Sequence, residues 1–390
     1  MHRVLIVHPE GNAANNPTLR SIISLLGKNG VFVDIISKNG IAPQPAIANV
    51  RWINEAPVYS RLKALATNII SSDFFVKLLI YLNRKQYKNN DWQIVIGVDR
   101  QGLIEAREIS RMLDIPYAFI SFEIMFESET SLRFKIVERT ASKNVSFWIA
   151  QDEMRAKMLS DENHLQSRPS LLIPVSSHGI ANQTERRLRD SLNIPNDKKV
   201  AIAVGSISEW TMMDEVLGSL PNWPEDWVLI IHDRYGHTQS RLNALKLEEK
   251  LLSKSRLYLS TDAPEDVDDM GYILSGVDCG LAFYRPINGN PFLGNNIRFL
   301  GRSSGKIATY LRFGIPVITN IGAPMMNDIR EYQLGEVISD PNELPRCLRL
   351  GNFSNRKNCQ NYFKTHLDFE NHSDEFWKLL EKSVSEYKNQ

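Results

Sequence analysis

Short apolar runs rich in β-branched residues alternate along this chain with longer stretches of helical period, and few folds accept that pattern. A strand covered by helices on both sheet faces reads as a continuous apolar run, and parallel neighbours need a crossover of about a dozen residues or more. The alternation therefore predicts parallel sheets layered with helices. Val4–Val7 reads as a strand, Asn16-Pro17 as a helix start with proline in its first turn, and Gly30 as the stop before a second strand at Val31–Ile36. Further strands are expected at Gln93–Val98, Tyr117–Phe122, Phe147–Ala150 and Leu171–Ile173, which closes a first domain near Pro174.

From Val175 to Lys198 the chain turns polar and carries the charged run Glu185-Arg186-Arg187-Leu188-Arg189-Asp190, as a connection between domains would. A second series of strands then begins, at Val200–Val204, Trp227–Ile231, Leu257–Leu259, Val277–Phe283 and Pro316–Thr319. The expected fold class is α/β, with two Rossmann-like domains: residues 1–175 and residues 176–362. In the tail, 363–390, Phe376, Trp377, Leu379 and Leu380 fall at helical spacing and are expected to pack back on the first domain.

At 390 residues the chain exceeds what one hydrophobic core usually supports, which agrees with two domains. A formal net charge of +1 leaves no electrostatic footprint for nucleic acid. Cys279, Cys347 and Cys359 cannot all pair, and none has a metal-ligand neighbour at short spacing, so a reducing, cytoplasmic setting is expected. The apolar run after Met1 is too short for a signal peptide or a membrane span.

The stretch Ser303-Ser304-Gly305-Lys306-Ile307-Ala308-Thr309 carries the most chemical information. Serines and a glycine open a helix, Gly314 ends it, and Pro316 leads into a strand. Free N–H groups and the positive end of the helix dipole favour bound phosphate, and Lys306 adds a full charge. The alternative is that the serines only cap the helix and Lys306 is a solvated side chain.

This segment, with Gly314-Ile315-Pro316-Val317-Ile318-Thr319 after it, resembles the C-terminal donor-site region of the bacterial group 1, or family 4, glycosyltransferases of the GT-B fold. Other landmarks follow in that group's order: Asp91–Gly97 with Leu113–Tyr117, Glu138-Arg139 through Ile149–Met154, Ala203–Ile207, and Val277–Pro286. The resemblance implies two Rossmann-like domains with parallel sheets facing across a cleft. The first would bind the acceptor and the second a nucleotide-sugar donor, touched by Gly205, Ser206, Tyr284, Arg285, Arg302, Ser303, Ser304, Gly305, Lys306 and Thr309. It implies sugar transfer to a saccharide or lipid-linked acceptor, as in bacterial surface polysaccharide synthesis, and no cofactor.

The sequence departs from that group in one respect. Many members carry two glutamates separated by seven intervening residues, the second holding the donor ribose; here Gly301 and Thr309 occupy those positions, so the retaining stereochemistry does not carry over. Basic residues after the Gly205 loop are also missing, Ser208-Glu209-Trp210-Thr211 standing there. Charge for the diphosphate is then expected from Lys306, Arg302, Arg298 or Arg285. No metal is expected: Asp266-Val267-Asp268 matches a metal-binding Asp-x-Asp run, but lies in an acidic stretch that reads as helix caps, and the eight histidines lack ligand spacing.

Two carboxylates in the first domain follow strands, where open α/β sheets place ligand loops. Glu10 lies in His8-Pro9-Glu10-Gly11, where Gly11 would let backbone approach a ligand, and Glu123 follows Ile120-Ser121-Phe122. Either could accept a proton from an acceptor hydroxyl; an ordinary loop at Glu10 and a cap or ion pair at Glu123 are the other readings. Residues 61–88 mix Phe74-Phe75-Val76 and Leu78–Leu82 with Lys63, Lys77, Arg84, Lys85 and Lys88. Such a stretch suits peripheral contact with an anionic membrane at its cytoplasmic face, or, for any particular residue, a core helix with a solvated basic end. Two other functions compete with transfer: a GT-B epimerase of nucleotide sugars, and a degenerate nucleotide-binding accessory protein.

Overall fold

A computed structural model describes residues 1–37, 47–53, 55, 57–88, 90–206, 208–233, 256–260 and 269–388. Ile207 and the Asp266-Val267-Asp268 run lie outside them. The chain divides into two compact units, one of Met1–Ser177, Asn288–Ser303 and Phe369–Gln390, the other of His178–Ile287 and Ser304–Asp368.

The first unit is built on a parallel sheet of seven strands: β1 (Arg3–His8), β2 (Phe32–Ser37), β3 (Val50–Ile53), β4 (Ile94–Val98), β5 (Tyr117–Ile120), β6 (Trp148–Ala150) and β7 (Ser170–Leu172). Their order is β3-β2-β1-β4-β5-β6-β7, so β1, β4 and β5 are adjacent at the centre. Both faces are covered: Val4 and Ile6 of β1 pack into one apolar cluster, Leu5 and Val7 into the other. That two-sided burial is why the strand reads as an unbroken apolar run. The first helix, Pro17–Lys28, starts where Asn16 accepts from the Leu19 amide at 3.0 Å with Pro17 behind it. The 370–388 helix belongs to this unit, with the Phe376 ring edge-on to Phe147 at 6.4 Å.

Residues 288–303 also belong to the first unit rather than to the second series of strands. Asp152 holds this segment, its carboxylate accepting from the Arg155 amide at 2.8 Å and the Arg302 amide at 2.7 Å. Glu129 accepts from the Asn295 amide at 2.9 Å. Gly301, at φ +50°, passes so close that an added Cβ would lie 2.0 Å from Asp152 Oδ2. A glutamate at 301 would therefore collide with the carboxylate that anchors the segment. Gly301→Ala should lower stability by about 1–2 kcal/mol from the left-handed backbone, read as a lower denaturation midpoint with an unchanged m-value.

The second unit has a six-stranded parallel sheet of β8 (Lys199–Val204), β9 (Trp227–His232), β10 (Leu257–Ser260), β11 (Cys279–Ala282), β12 (Val317–Asn320) and β13 (Gly335–Ile338), ordered β10-β9-β8-β11-β12-β13. The helix Gly305–Arg312 precedes β12, and Gly314, at φ +68°, ends it. Cys279, Cys347 and Cys359 are free and buried. Among the described residues no helix is long and apolar enough to cross a membrane.

The 73–82 helix is apolar nearly all round. Val76 and Ile80 form its buried stripe, whereas Phe74, Phe75, Leu78, Tyr81 and Leu82 are exposed, so the core-helix expectation holds for one stripe only. Lys63 does not belong to the basic surface: it is fully buried, bonded to Glu105 and, at 2.7 Å, to Glu55. Burial alone would pull this amine down, yet Glu105, Tyr87 and Glu55 hold it above its ordinary value.

Candidate functional site

In the second unit, polar groups gather where β8 ends and the 305–312 helix begins. Ser304 is buried at the helix N-cap, accepting from the Ile307 amide at 3.3 Å. Its hydroxyl also meets the Tyr284 hydroxyl at 2.6 Å, just past β11. Burial pushes the Tyr284 phenol up to about 12, against the pull of that hydrogen bond, so it stays protonated near neutrality. Gly205 follows β8 at φ +94°, a conformation glycine adopts without strain, and its missing Cβ would stand 3.9 Å from Lys306 Cε.

Lys306 Nζ lies 5.7 Å from the centroid of the Tyr284 ring, and the Trp210 ring is 6.0 Å from the same ring. The lysine is half-buried, and burial alone pulls its amine down to about 8. No carboxylate among the described residues pairs with it. The amine remains largely protonated at pH 7 and is poorly solvated, which favours an incoming anion at a helix start.

The other expected donor contacts divide. Gly305 is half-buried in the first turn, and its carbonyl accepts from the Thr309 hydroxyl at 2.8 Å, so that hydroxyl is turned back into its own helix. Ser206 is half-buried beside Gly205. Arg285 is paired with Glu215 at 2.6 Å, which already meets much of its charge. Arg302 and Ser303 lie in the first unit, because the Asp152 anchor and the turn bond from Ser303 to Leu300 at 2.9 Å keep them there. Arg298 reaches Asn288 at 3.1 Å in the same segment.

In the first unit, the loops after β1, β4 and β5 bring three carboxyl groups together. Glu10 accepts from the Gln101 amide at 3.0 Å, at the start of the Asp99–Leu113 helix. Asp99, at φ +54°, accepts from the Phe122 and Glu123 amides at 2.7 and 2.9 Å. Glu123 receives a hydrogen bond from the Asn296 amide group, whose own oxygen accepts from the Ile124 amide at 3.1 Å. Arg155 is fully buried and donates to the Phe122 carbonyl at 2.6 Å.

All three acids are held near pH 7. Burial raises Glu10 to about 7, helped by Asp99 and opposed by the Gln101 amide and Arg100. Burial and Glu123 raise Asp99 to about 7. Burial raises Glu123 to about 7 against Arg155 and Asn296. Groups this close release protons as a set, so one or more of them is protonated at neutrality. His8, with Nδ1 3.9 Å from Asp99, is pulled down to about 4 by burial and is neutral there. Gly11 lies against this imidazole: an added Cβ would fall 2.2 Å from His8 Nε2, so a side chain there would have to displace the ring.

Asp99, His8, Arg155 and Asn296 are parts of this site that the sequence reading did not single out. Asp99 was within reach of it, since it follows the strand expected at Gln93–Val98 just as Glu123 follows its own. Asn296 carried no such signal: it stands 173 residues after Glu123 in the chain. Among the described residues no group of three or more His, Cys, Asp or Glu side chains is arranged to hold a metal ion.

These sheets define the class: the chain has the two-domain α/β fold called GT-B. Its likeness extends over whole chains of solved structures. HepE from Anabaena, in complex with UDP and glucose, matches 98% of this chain and 100% of its own at 12% identity and TM-score 0.67. Sucrose-phosphate synthase from Thermosynechococcus elongatus matches 99% and 100%, again at 12% identity and TM-score 0.67. WaaG, a glycosyltransferase involved in lipopolysaccharide biosynthesis, matches 95% and 98% at 14% identity and TM-score 0.62. No family model and no curated protein matches the sequence.

Proposed function

We propose that this protein is a glycosyltransferase that moves a sugar from a nucleoside-diphosphate donor to a saccharide or lipid-linked saccharide. The observation that carries the reading is Lys306: a half-buried amine without a carboxylate partner among the described residues, at the start of a helix and beside Gly205. A diphosphate leaving group gains charge as the glycosidic bond breaks, and a fixed cation with helix N–H groups stabilises that charge where it grows. The complexes of HepE with UDP and with UDP-glucose support a nucleotide-sugar donor. The first domain would take the acceptor, with Glu123 accepting its proton and Glu10 as the second carboxylate beside it.

On this reading the reaction needs no metal, because Lys306 and the helix start supply the positive field. It runs in the cytosol, in surface polysaccharide or glycoconjugate synthesis, with peripheral membrane contact through residues 61–88. Calorimetric titration with UDP, GDP and their sugars in excess EDTA tests it, followed by a hydrolysis assay. Micromolar to millimolar binding of one diphosphate and slow release of its sugar are expected. Absence of nucleotide binding would sink the proposal, and binding without turnover would favour an accessory role.

A further inference from the structure

We infer that Phe292 is the stacking face for the acceptor sugar, taking one flat C–H face of a pyranose ring against its own ring beside Glu123. The inference rests on the transferase reading and names the part of the acceptor that the first unit recognises. Phe292 belongs to the 288–303 segment, which packs in that unit. Its carbonyl accepts from the Asn296 side-chain amide at 3.2 Å, and the same amide group donates to Glu123. One buried asparagine therefore fixes the backbone of Phe292 and the carboxylate together.

The turn that carries the ring is held at several points. Asn290 accepts through its side chain from the Phe292 and Leu293 amides at 3.0 and 3.1 Å, and through its carbonyl from the Gly294 amide at 2.8 Å. Glu129 holds the Asn295 amide at 2.9 Å. Further along, Arg155 donates to the Phe299 carbonyl at 3.0 Å, and the Phe299 ring packs on Phe126 at 5.7 Å. On this ordered support the Phe292 side chain is left 51% exposed. A single exposed apolar side chain is ordinary on a surface; an aromatic ring fixed on a pinned turn next to a half-buried acid is placed for contact, because it offers wide apolar area at little further cost in conformational entropy. Ligand sites combine such surface with a few polar groups that set orientation. Here the ring suits the C–H face of a pyranose and Glu123 its hydroxyl. Polar neighbours in the same segment, Asn290 and the Asn288–Arg298 pair at 3.1 Å, suit further hydroxyls rather than hydrocarbon.

Saturation-transfer NMR of the full chain with millimolar methyl pyranosides of glucose, galactose, mannose and N-acetylglucosamine, with and without UDP, tests it. Transfer is expected to be strongest at the C–H protons of one ring face of at least one glycoside, and to fall about five- to tenfold in Phe292→Ala and in Phe292→Leu, which keeps an apolar side chain but loses the flat ring. Phe292→Tyr and Phe292→Trp should retain it. Phe32→Ala removes a ring exposed to a similar extent, 54%, at the start of β2, the end of the sheet away from Glu123, and should bind as the parent does. No transfer to any glycoside in the parent, or equal transfer in Phe292→Ala or Phe292→Leu, would overturn the inference. Calorimetry with UDP keeps the two readings apart. Phe292-dependent glycoside contact in a chain that binds no nucleotide would defeat the transferase reading and leave the stacking contact standing, whereas nucleotide binding without that contact would do the reverse.

Discussion

Glu123→Gln should lower kcat by about 10²–10⁴-fold while leaving nucleotide affinity within a factor of about three, the size of effect expected when a general base is removed. The substitution keeps the side chain's shape and its place beside Asn296, and removes the carboxylate's charge and its ability to take a proton. Arg155 keeps the charges of Asp152 and Asp99 after the change, so the fold should survive. The pH profile gives a readout that a structural role would not move. Burial holds Glu123 at about 7, so its base form appears as pH rises through 7, and kcat/KM of the parent should climb there. In the variant that limb should shift or vanish. The same shift acts in the opposite sense on stability: stabilisation present below the carboxyl's ordinary 4.5 is lost as pH rises through about 7, and the variant should lose less of it. Unchanged kcat with an unchanged limb would remove Glu123 from catalysis and leave it as a partner of Arg155 and Asn296.

Lys306→Ala should lower kcat/KM for the donor by an amount equivalent to about 1–3 kcal/mol, the value of a charged hydrogen bond to a poorly solvated group. The loss should appear in diphosphate binding as well as in turnover, because the amine would meet the leaving group before and during the reaction. Stability should change little, since no described carboxylate would be left unpaired. Arg285→Ala provides the contrast: its guanidinium is already engaged by Glu215, so a smaller kinetic effect is expected. Wild-type kinetics in Lys306→Ala would return the lysine to the solvated surface and leave Ser304 as a simple helix cap.

Much of the architecture is legible in the sequence because helix-covered parallel strands are apolar on both faces. Val4–Val7, Ile94–Val98 and Trp227–Ile231 announce themselves as unbroken runs, and Asn16-Pro17 marks a helix start by the chemistry of its cap. The two strands that escape such reading, Val50–Ile53 and Gly335–Ile338, are both sheet edges. An edge strand is covered less completely, so arginine, glutamate and glycine are tolerated and the apolar run breaks up. The site is legible in proportion to its dependence on local pattern. Ser304-Gly305-Lys306 is recognisable because a helix start is a local event, and Glu10 and Glu123 because each follows a strand.

What only the tertiary structure decided is which distant groups share a space. Placing β1, β4 and β5 side by side makes Glu10, Asp99 and Glu123 one set of coupled acids, whose pKa values rise because burial takes them out of water together. The return of residues 288–303 to the first unit supplies Asn296 to Glu123, and it makes glycine necessary at 301 through the approach of Asp152. The 73–82 helix divides on the same principle. Its apolar content is written in the sequence, but which half of that content meets the core and which half is left exposed follows from packing, since residue type fixes what a side chain prefers and only its neighbours fix what it obtains.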